Sequence, residues 1–166
     1  IRSDMIVVMY AGSPVDMTLW ADQAQAILWS YYAGMEGGNA LADVLFGNVN
    51  PSGKLAETLY ENKDGCSAHV LGEFPGDDKV HYTEGKLIGY RYNDTAKIAP
   101  LYCFGHGLSY TTFSYSDPVI REENGVRKIS CTIQNTGSLG GSETIQVYAR
   151  ESAGLVYQEL VGFEKI

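Results

Sequence analysis

The sequence is poor in several features that would mark particular classes of protein. Its 166 residues include three cysteines, five prolines and two tryptophans. Three cysteines are too few for a disulfide scaffold and cannot all pair with one another. No apolar run approaches the roughly 20 residues that a membrane-spanning helix needs, so we expect no membrane interaction.

Positive charge is also scarce. Twelve lysines and arginines face 20 acidic residues, which gives a formal net charge of −8. Without a basic patch to neutralise phosphates, we expect no nucleic-acid binding. The sequence contains no P-loop and no G-x-G-x-x-G, which disfavours a nucleotide-binding α/β protein. It also lacks the G-x-S-x-G motif. The start shows neither an initiator methionine nor a signal peptide, and we interpret the chain as part of a longer polypeptide.

The first third of the chain has the pattern of an α/β unit. Residues 5–10 and 26–32 are continuous apolar runs of strand length, typical of buried parallel strands. Residues 16–25 are predicted to form a short helix with Leu19 and Trp20 as its apolar anchors. A second helix is predicted over residues 38–46. Strand, helix, strand and helix at this spacing predict a parallel sheet.

The second predicted helix has recognisable ends. Leu41, Val44 and Leu45 share one face, Asn39 stands where an N-cap is expected, and Gly47 stands where a C′ glycine is expected. Gly38 is expected to lie close to the backbone of a neighbouring element.

The middle of the chain predicts less regular structure. Residues 55–60 have the composition of a further strand, and residues 61–80 are typical of a long surface loop. Residues 86–92 are predicted to be extended, and residues 100–112 to be irregular and punctuated by glycine.

From about residue 111 the pattern changes to alternating polar and apolar residues. Residues 112–115, 128–133 and 143–148 show the period of two that half-buried antiparallel strands have. Turns are predicted at residues 124–125 and 135–137.

Three stretches carry a resemblance to a known family. They read EGGNALADVLFGNVNPSGKL at residues 36–55, YTEGKLIGYRY at residues 82–92 and PLYCFGHGLSYT at residues 100–111. Their order and spacing resemble the sandwich domain of family 3 glycoside hydrolases, the β-glucosidase and β-xylosidase group. Cys103 stands where that family usually has a proline.

A second resemblance covers the end of the chain. QNTG at residues 134–137, QVY at 146–148 and ELVGF at 159–163 resemble the fibronectin type III-like domain that follows the sandwich domain in this family. The resemblance implies the later part of an α/β sandwich domain at residues 1–110 and an incomplete antiparallel β-sandwich at residues 111–166.

The family resemblance implies an exo-acting, retaining β-glycosidase of the β-glucosidase type, which needs no cofactor and acts on β-linked oligosaccharides or glycosides. In that family the nucleophile is an aspartate on a separate barrel domain, and the acid/base is usually a glutamate in a stretch preceding the region matched here. Neither motif occurs in this chain. We therefore expect it to be inactive alone and to act together with the barrel domain of the same polypeptide.

The alternative is a non-catalytic carbohydrate-binding or scaffold module, which would need a line of exposed aromatics. Trp29, Tyr31 and Tyr32 lie in a predicted buried strand, which disfavours that alternative.

Two carboxylates are candidates for contact with a sugar. Glu36 follows a predicted strand at the carboxyl end of the sheet, and it also precedes a helix start that favours negative charge. Glu84 lies among His81 and several tyrosines, which suits a sugar site, but the same residues also predict a structural ion pair with Arg91.

Two further patterns have simpler explanations. The two C-x-x-H pairs, at residues 66–69 and 103–106, have the ligand types of a zinc site, but each pair alone is commonplace and we predict no metal. The triplet at residues 93–95 is a formal N-glycosylation sequence, and such triplets also occur by chance.

Overall fold

The structure, a computed structural model, describes residue 2 and residues 4–166. Strands β1 (Ile6–Met9) and β2 (Ala26–Trp29) pair in parallel, with Ile6 opposite Ala26 and Met9 opposite Trp29. This pairing confirms the predicted parallel sheet.

The predicted helix between these strands is wrong. Only a single 3-10 turn, Ala21–Gln23, is present, and Leu19 is 83% exposed. The backbone N–H of Thr18 instead bonds the carboxylate of Asp16 at 3.0 Å, and such a local turn competes with helix formation. Met17, rather than Leu19, is the fully buried side chain here.

Strand β2 ends three residues before the predicted strand does. Tyr31 has a φ of 47°, a left-handed conformation that breaks the pleat of a strand. The next residue, Tyr32, is 84% exposed, so its predicted burial is wrong. Tyr32 covers Gly12, where an added Cβ would lie 2.4 Å from the tyrosine ring.

Helix α1 (Gly37–Leu45) confirms the predicted helix, shifted by one residue. Gly47 has a φ of 78°, as its predicted role as the C′ glycine requires. The predicted N-cap is wrong: Glu36 occupies that position, because the helix begins before Asn39. The prediction for Gly38 is also wrong, since a Cβ there would meet nothing within 4 Å, whereas one at Gly37 would lie 2.8 Å from the Ala33 methyl.

Residues 55–60 do not form the predicted strand. Leu59 makes one isolated bridge with Tyr102, and Leu55 exchanges backbone hydrogen bonds with residues 105–106. Between them the ladder is broken, because the N–H of Ala56 donates to the Tyr31 hydroxyl at 3.0 Å.

The predicted long loop contains two short helical segments. A 3-10 turn (Lys63–Gly65) and helix α2 (Ser67–Val70) precede an irregular stretch. The Asn62 side chain accepts a hydrogen bond from the N–H of Asp64 at 2.9 Å and so starts the first turn.

The predicted extended segment at residues 86–92 is wrong over its last three residues. Helix α3 (Tyr90–Ala96) begins there, directly after Gly89, whose φ of 52° redirects the chain. The helix is anchored by Asn93, which is 1% exposed and donates its amide to the carbonyl of Gly65 at 3.1 Å. Residues 100–112 are irregular apart from the bridge at Tyr102, much as predicted.

The last third of the described chain forms two antiparallel hairpins. Strand β3 (Phe113–Glu123) pairs with β4 (Val126–Asn135), and β5 (Thr144–Ala149) pairs with β6 (Glu159–Lys165). The predicted turn at Asn124 and Gly125 is present, with φ values of 52° and 75° that suit a tight hairpin. A small parallel sheet followed by antiparallel strands confirms the predicted fold class. The boundary at residue 111 stays a prediction.

Candidate functional site

Glu84 lies in a different environment from the predicted one. Arg91 does not pair with it: the Nε of Arg91 is 3.4 Å from Glu159 Oε1, so the predicted Glu84–Arg91 pair is wrong. Lys86 joins the same carboxylate at 3.6 Å. The partner of Arg91, Glu159, lies on β6, some 70 residues away in sequence. No local sequence pattern predicts a contact over that separation.

The neighbour of Glu84 is a second carboxylate, Glu73. The Thr83 hydroxyl donates to Glu73, and the Thr83 N–H lies 3.3 Å from both of its carboxylate oxygens. These bonds, led by the hydroxyl, with smaller contributions from a hydrogen bond with Glu84 and the charge of His81, hold the pKa of Glu73 below its usual value. The Oε2 of Glu84 is buried and has no hydrogen-bond partner among the described residues.

Glu36 lies at the exposed start of α1. Its Oε2 accepts a hydrogen bond from the Asn39 amide at 2.6 Å, and its side chain does not cap a backbone N–H of the helix. Within the described chain, no hydrogen bond or ion pair links Glu36 with Glu84. The structure therefore does not bring the two candidates into direct contact.

A cavity of about 560 Å³ lies where the irregular segment before β3 meets strand β5. Its charged centre is Lys54, whose Nζ is 3.1 Å from Glu143 Oε1 and 3.0 Å from the carbonyl of Gly107. Burial, and then the charge of Glu143, raises the pKa of Tyr115 to about 12. Sequence reasoning missed this cavity, because its residues come from separate segments between Lys54 and Gln158 that lie far apart in the sequence.

The remaining walls of this cavity are internally bonded. Gln146 donates to the carbonyl of Gly105 at 3.0 Å and accepts from the Tyr148 hydroxyl at 2.7 Å. The ring of Tyr90 stacks on Phe104 at 4.9 Å and meets Tyr148 edge-on at 5.7 Å. The polar groups at its centre, Lys54, Glu143 and Gln146, already have partners within the chain. We therefore interpret the cavity as part of the contact between residues 54–107 and strand β5.

The histidines of the two C-x-x-H pairs, for which we predicted no metal, both make ring contacts. The ring of His69 contacts Phe74 at 5.0 Å, and that of His106 stacks on Tyr102 at 5.5 Å. In residue 2 and residues 4–166, no three histidine, cysteine or acidic side chains cluster as metal ligands. No helix in the same part of the chain is long and apolar enough to span a bilayer.

One polar cluster escaped the sequence analysis altogether. At the carboxyl end of β2, the ring of Trp29 meets Tyr31 edge-on at 6.3 Å, and Tyr31 accepts its hydrogen bond from Ala56. Burial raises the pKa of the neighbouring Glu57 above its ordinary value. The only signal in the sequence was a charged residue inside a predicted strand, at Glu57.

The geometry defines a class of protein: an α/β domain with a small parallel sheet, followed by two antiparallel hairpins. Residues 2–110 match the family described as the glycosyl hydrolase family 3 C-terminal domain. The chain belongs to this family, and the resemblance noted in the sequence is confirmed.

The relatives are consistent with this assignment. The chain is 44% identical to thermostable β-glucosidase B of Acetivibrio thermocellus and 40% identical to β-glucosidase BoGH3A of Bacteroides ovatus, in each case over its whole length and 23% of theirs. Among solved structures, β-glucosidase 3B from Thermotoga neapolitana in complex with α-D-glucose superposes with a TM-score of 0.90 at 39% identity, covering 98% of this chain and 24% of that one. The chain thus spans about a quarter of the length of these glycoside hydrolases.

Proposed function

We propose that this chain forms the later C-terminal part of a β-glucosidase that removes terminal β-linked sugars by the retaining route. The observation that carries the proposal is the match of the whole chain, at about 40% identity, to a quarter of several β-glucosidases. The other partner would be a barrel domain of the same polypeptide, and the substrate a β-linked oligosaccharide or glycoside.

In this proposal the chain does not cleave the bond by itself. Neither the nucleophile motif nor the acid/base motif of the family occurs in this sequence, and Glu36 is bonded to Asn39. The chain would instead help to close the sugar site, with the cavity around Lys54 and Glu143 bracing the hairpins against the α/β part.

Glu84 is the first candidate for contact with substrate, because it is a carboxylate close in sequence to Tyr82, whose side chain is 82% exposed. Glu36 is the second candidate, since it lies after β2 and is accessible from solvent. Both roles are proposals that require the complete enzyme for their test.

A chimera tests the proposed function. This chain would replace the corresponding quarter of thermostable β-glucosidase B, and hydrolysis of 4-nitrophenyl β-D-glucoside would be measured for the chimera and for the isolated chain. We expect turnover by the chimera and none by the chain. A folded chimera without turnover, or turnover by the chain that survives repeated purification, would contradict the proposal.

One observation favours a second candidate, a carbohydrate-binding module. Tyr32 and Tyr82 are 84% and 82% exposed, and exposed aromatic rings are used to stack on sugars. Replacing each with alanine and titrating with cellobiose distinguishes the two functions. Loss of millimolar binding in either variant would support the binding module.

A further inference from the structure

The turn between β3 and β4 contains a chemically reactive dipeptide. Asn124 and Gly125 form the whole loop, since Glu123 ends β3 and pairs with Val126, the first residue of β4. Asn-Gly occurs at no other place in the sequence. An asparagine before glycine is especially prone to lose its side-chain amide, because glycine has no side chain to hinder attack by its own nitrogen.

The hairpin leaves both reacting groups free. Residues 121–130 are all exposed. Neither the side-chain amide of Asn124 nor the N–H of Gly125 makes a hydrogen bond with the described residues. An added Cβ at Gly125 would meet nothing within 4 Å. Attack therefore displaces no neighbouring side chain and breaks no hydrogen bond of these groups, and water has access to the reaction.

The turn also lies at the end of a ladder that opens easily. Strands β3 and β4 form a two-stranded sheet with no third strand among the described residues, and all but one residue of each strand is exposed. A two-stranded hairpin is marginally stable by itself, and exposed ends of such elements open at little cost in free energy. Opening releases Asn124 from its turn φ of 52° and lets its side-chain carbonyl carbon reach the nitrogen of Gly125.

A second dipeptide with the same chemistry lies in a locked turn. Asp64-Gly65 can close to the same cyclic imide, but the N–H of Gly65 donates to the carbonyl of Asn62 at 3.2 Å. The carbonyl of Gly65 accepts from the Asn93 amide at 3.1 Å, and an added Cβ at Gly65 would lie 2.9 Å from the Tyr60 ring. Because these contacts must break before the nitrogen can attack, the structure protects this dipeptide and leaves the other unprotected.

We propose that Asn124 is a site of spontaneous deamidation in the folded chain. The nitrogen of Gly125 forms a bond to Cγ of Asn124 and gives its proton to the solvent. The Cγ–Nδ2 bond breaks, and the leaving group takes up a proton and departs as ammonia. Water then opens the cyclic imide at either carbonyl, which leaves aspartate or isoaspartate at position 124. The only co-reactant is water, and no atom is oxidised or reduced.

Both products change the hairpin. Each adds a negative charge beside Glu122 and Glu123. Isoaspartate also lengthens the backbone by one methylene group, and a two-residue loop with φ values of 52° and 75° cannot absorb the extra atom without disturbing the strand pairing. Deamidation therefore loosens the β3–β4 hairpin. This inference does not depend on the proposed function.

Peptide mapping of the whole chain after incubation in mildly alkaline buffer provides the test. Trypsin releases residues 122–127, whose only asparagine is Asn124, and residues 64–79, which begin with Asp64. Chromatography and fragment mass spectrometry quantify the products in each peptide. We expect Asn124 to convert in the folded chain within about tenfold of its rate in denaturant, because the turn opens freely. Denaturant should accelerate isoaspartate formation at Asp64 by a much larger factor.

Asn124→Gly is the matched control, because Gly-Gly also suits a two-residue hairpin turn and has no side-chain amide to lose. Incubation should lower the melting temperature of the unsubstituted chain by about 2 °C or more and leave that of Asn124→Gly unchanged. The proposed site is overturned if folding slows conversion at Asn124 by more than about tenfold, or if folding slows both dipeptides equally. An unchanged melting temperature after full conversion would overturn the proposed loosening of the hairpin.

Discussion

The two halves of the molecule are held together in different ways. In residues 111–166, two hairpins with strands of six to eleven residues provide continuous backbone ladders, yet apolar side chains such as Ile120 and Phe163 remain 69% and 71% exposed. In residues 4–110 the strands are only four residues long, and single side chains anchor irregular backbone instead. Asn93 bonded to Gly65 and Tyr31 bonded to Ala56 are examples.

This difference predicts which substitutions should lower the free energy of unfolding most. A hairpin secured by main-chain bonds tolerates changes to exposed side chains, because the ladder does not depend on them. An irregular region secured by individual side chains depends on each of them. Tyr31, which contacts Trp29 and Ala56, and Glu73, which is bonded to Thr83, both belong to the second kind of region.

The largest effect is expected from truncating a buried apolar side chain in the first half. Leu59 is 2% exposed, and Leu59→Ala should lower the free energy of unfolding by about 2–5 kcal/mol through lost burial and the cavity left behind. Phe163→Ala, at an exposed position of β6, should cost much less. Urea denaturation of both variants measures the contrast, and equal losses would refute it.

The second largest loss of stability is expected from breaking the ion pair between Lys54 and Glu143. Lys54 and Glu143 have side chains only 17% and 12% exposed, so Glu143→Leu leaves a mostly buried ammonium without its partner, at a cost of about 2–3 kcal/mol. The double variant Lys54→Met/Glu143→Leu should recover part of that loss. If the double variant is less stable than the single one, the ion pair is not what joins the halves.

Gly37 and Gly38 are adjacent in the first turn of α1, but only Gly37 lies close to another side chain. Gly37→Ala would push a methyl to 2.8 Å from Ala33 and should destabilise the chain by about 1–3 kcal/mol. Gly38→Ala meets open space and should stabilise it by about 0.5–1 kcal/mol, because alanine favours the helix. Thermal unfolding of the two variants should therefore shift in opposite directions.

The smallest effects should come from two carboxylates with opposite pKa shifts. The lowered pKa of Glu73 means that its ionised form stabilises the fold above about pH 4.5, and this contribution is lost as the pH falls through the folded-state pKa. Glu73→Gln should therefore lower the melting temperature at pH 7, and the difference should shrink as the pH falls below about 4.5.

Glu57 should behave in the opposite way. Its pKa is raised, so the fold is penalised as the pH rises from about 4.5 through the folded-state pKa. Glu57→Gln should raise the melting temperature at pH 7, and the gain should vanish near pH 4. Parallel pH profiles for the two variants would contradict the assigned environments.

The sequence correctly predicted those elements whose formation depends on residues close together in the chain. The parallel pair β1–β2, helix α1 with its C′ Gly47 and the antiparallel hairpins all follow from apolar periodicity and turn residues. Helix α3 was missed because its start depends on the backbone of Gly89, and its anchor is the distant carbonyl of Gly65.

The candidate sites were less predictable, because they depend on contacts between distant residues. The role of Glu84 in sugar contact stays a prediction, but the ion pair expected between Glu84 and Arg91 is absent, because Arg91 pairs with Glu159 on β6. The burial of Glu57 depends on how the chain packs around it, near Tyr31, which lies 26 residues earlier.

The position of Asn93 sets an order of events for any modification of the triplet at residues 93–95. Its amide is fully enclosed and already donates to Gly65, so an attached glycan and the folded helix α3 exclude each other. A transferase could reach this asparagine only during synthesis, before α3 forms, and chains that acquired a glycan there would be unable to complete the fold.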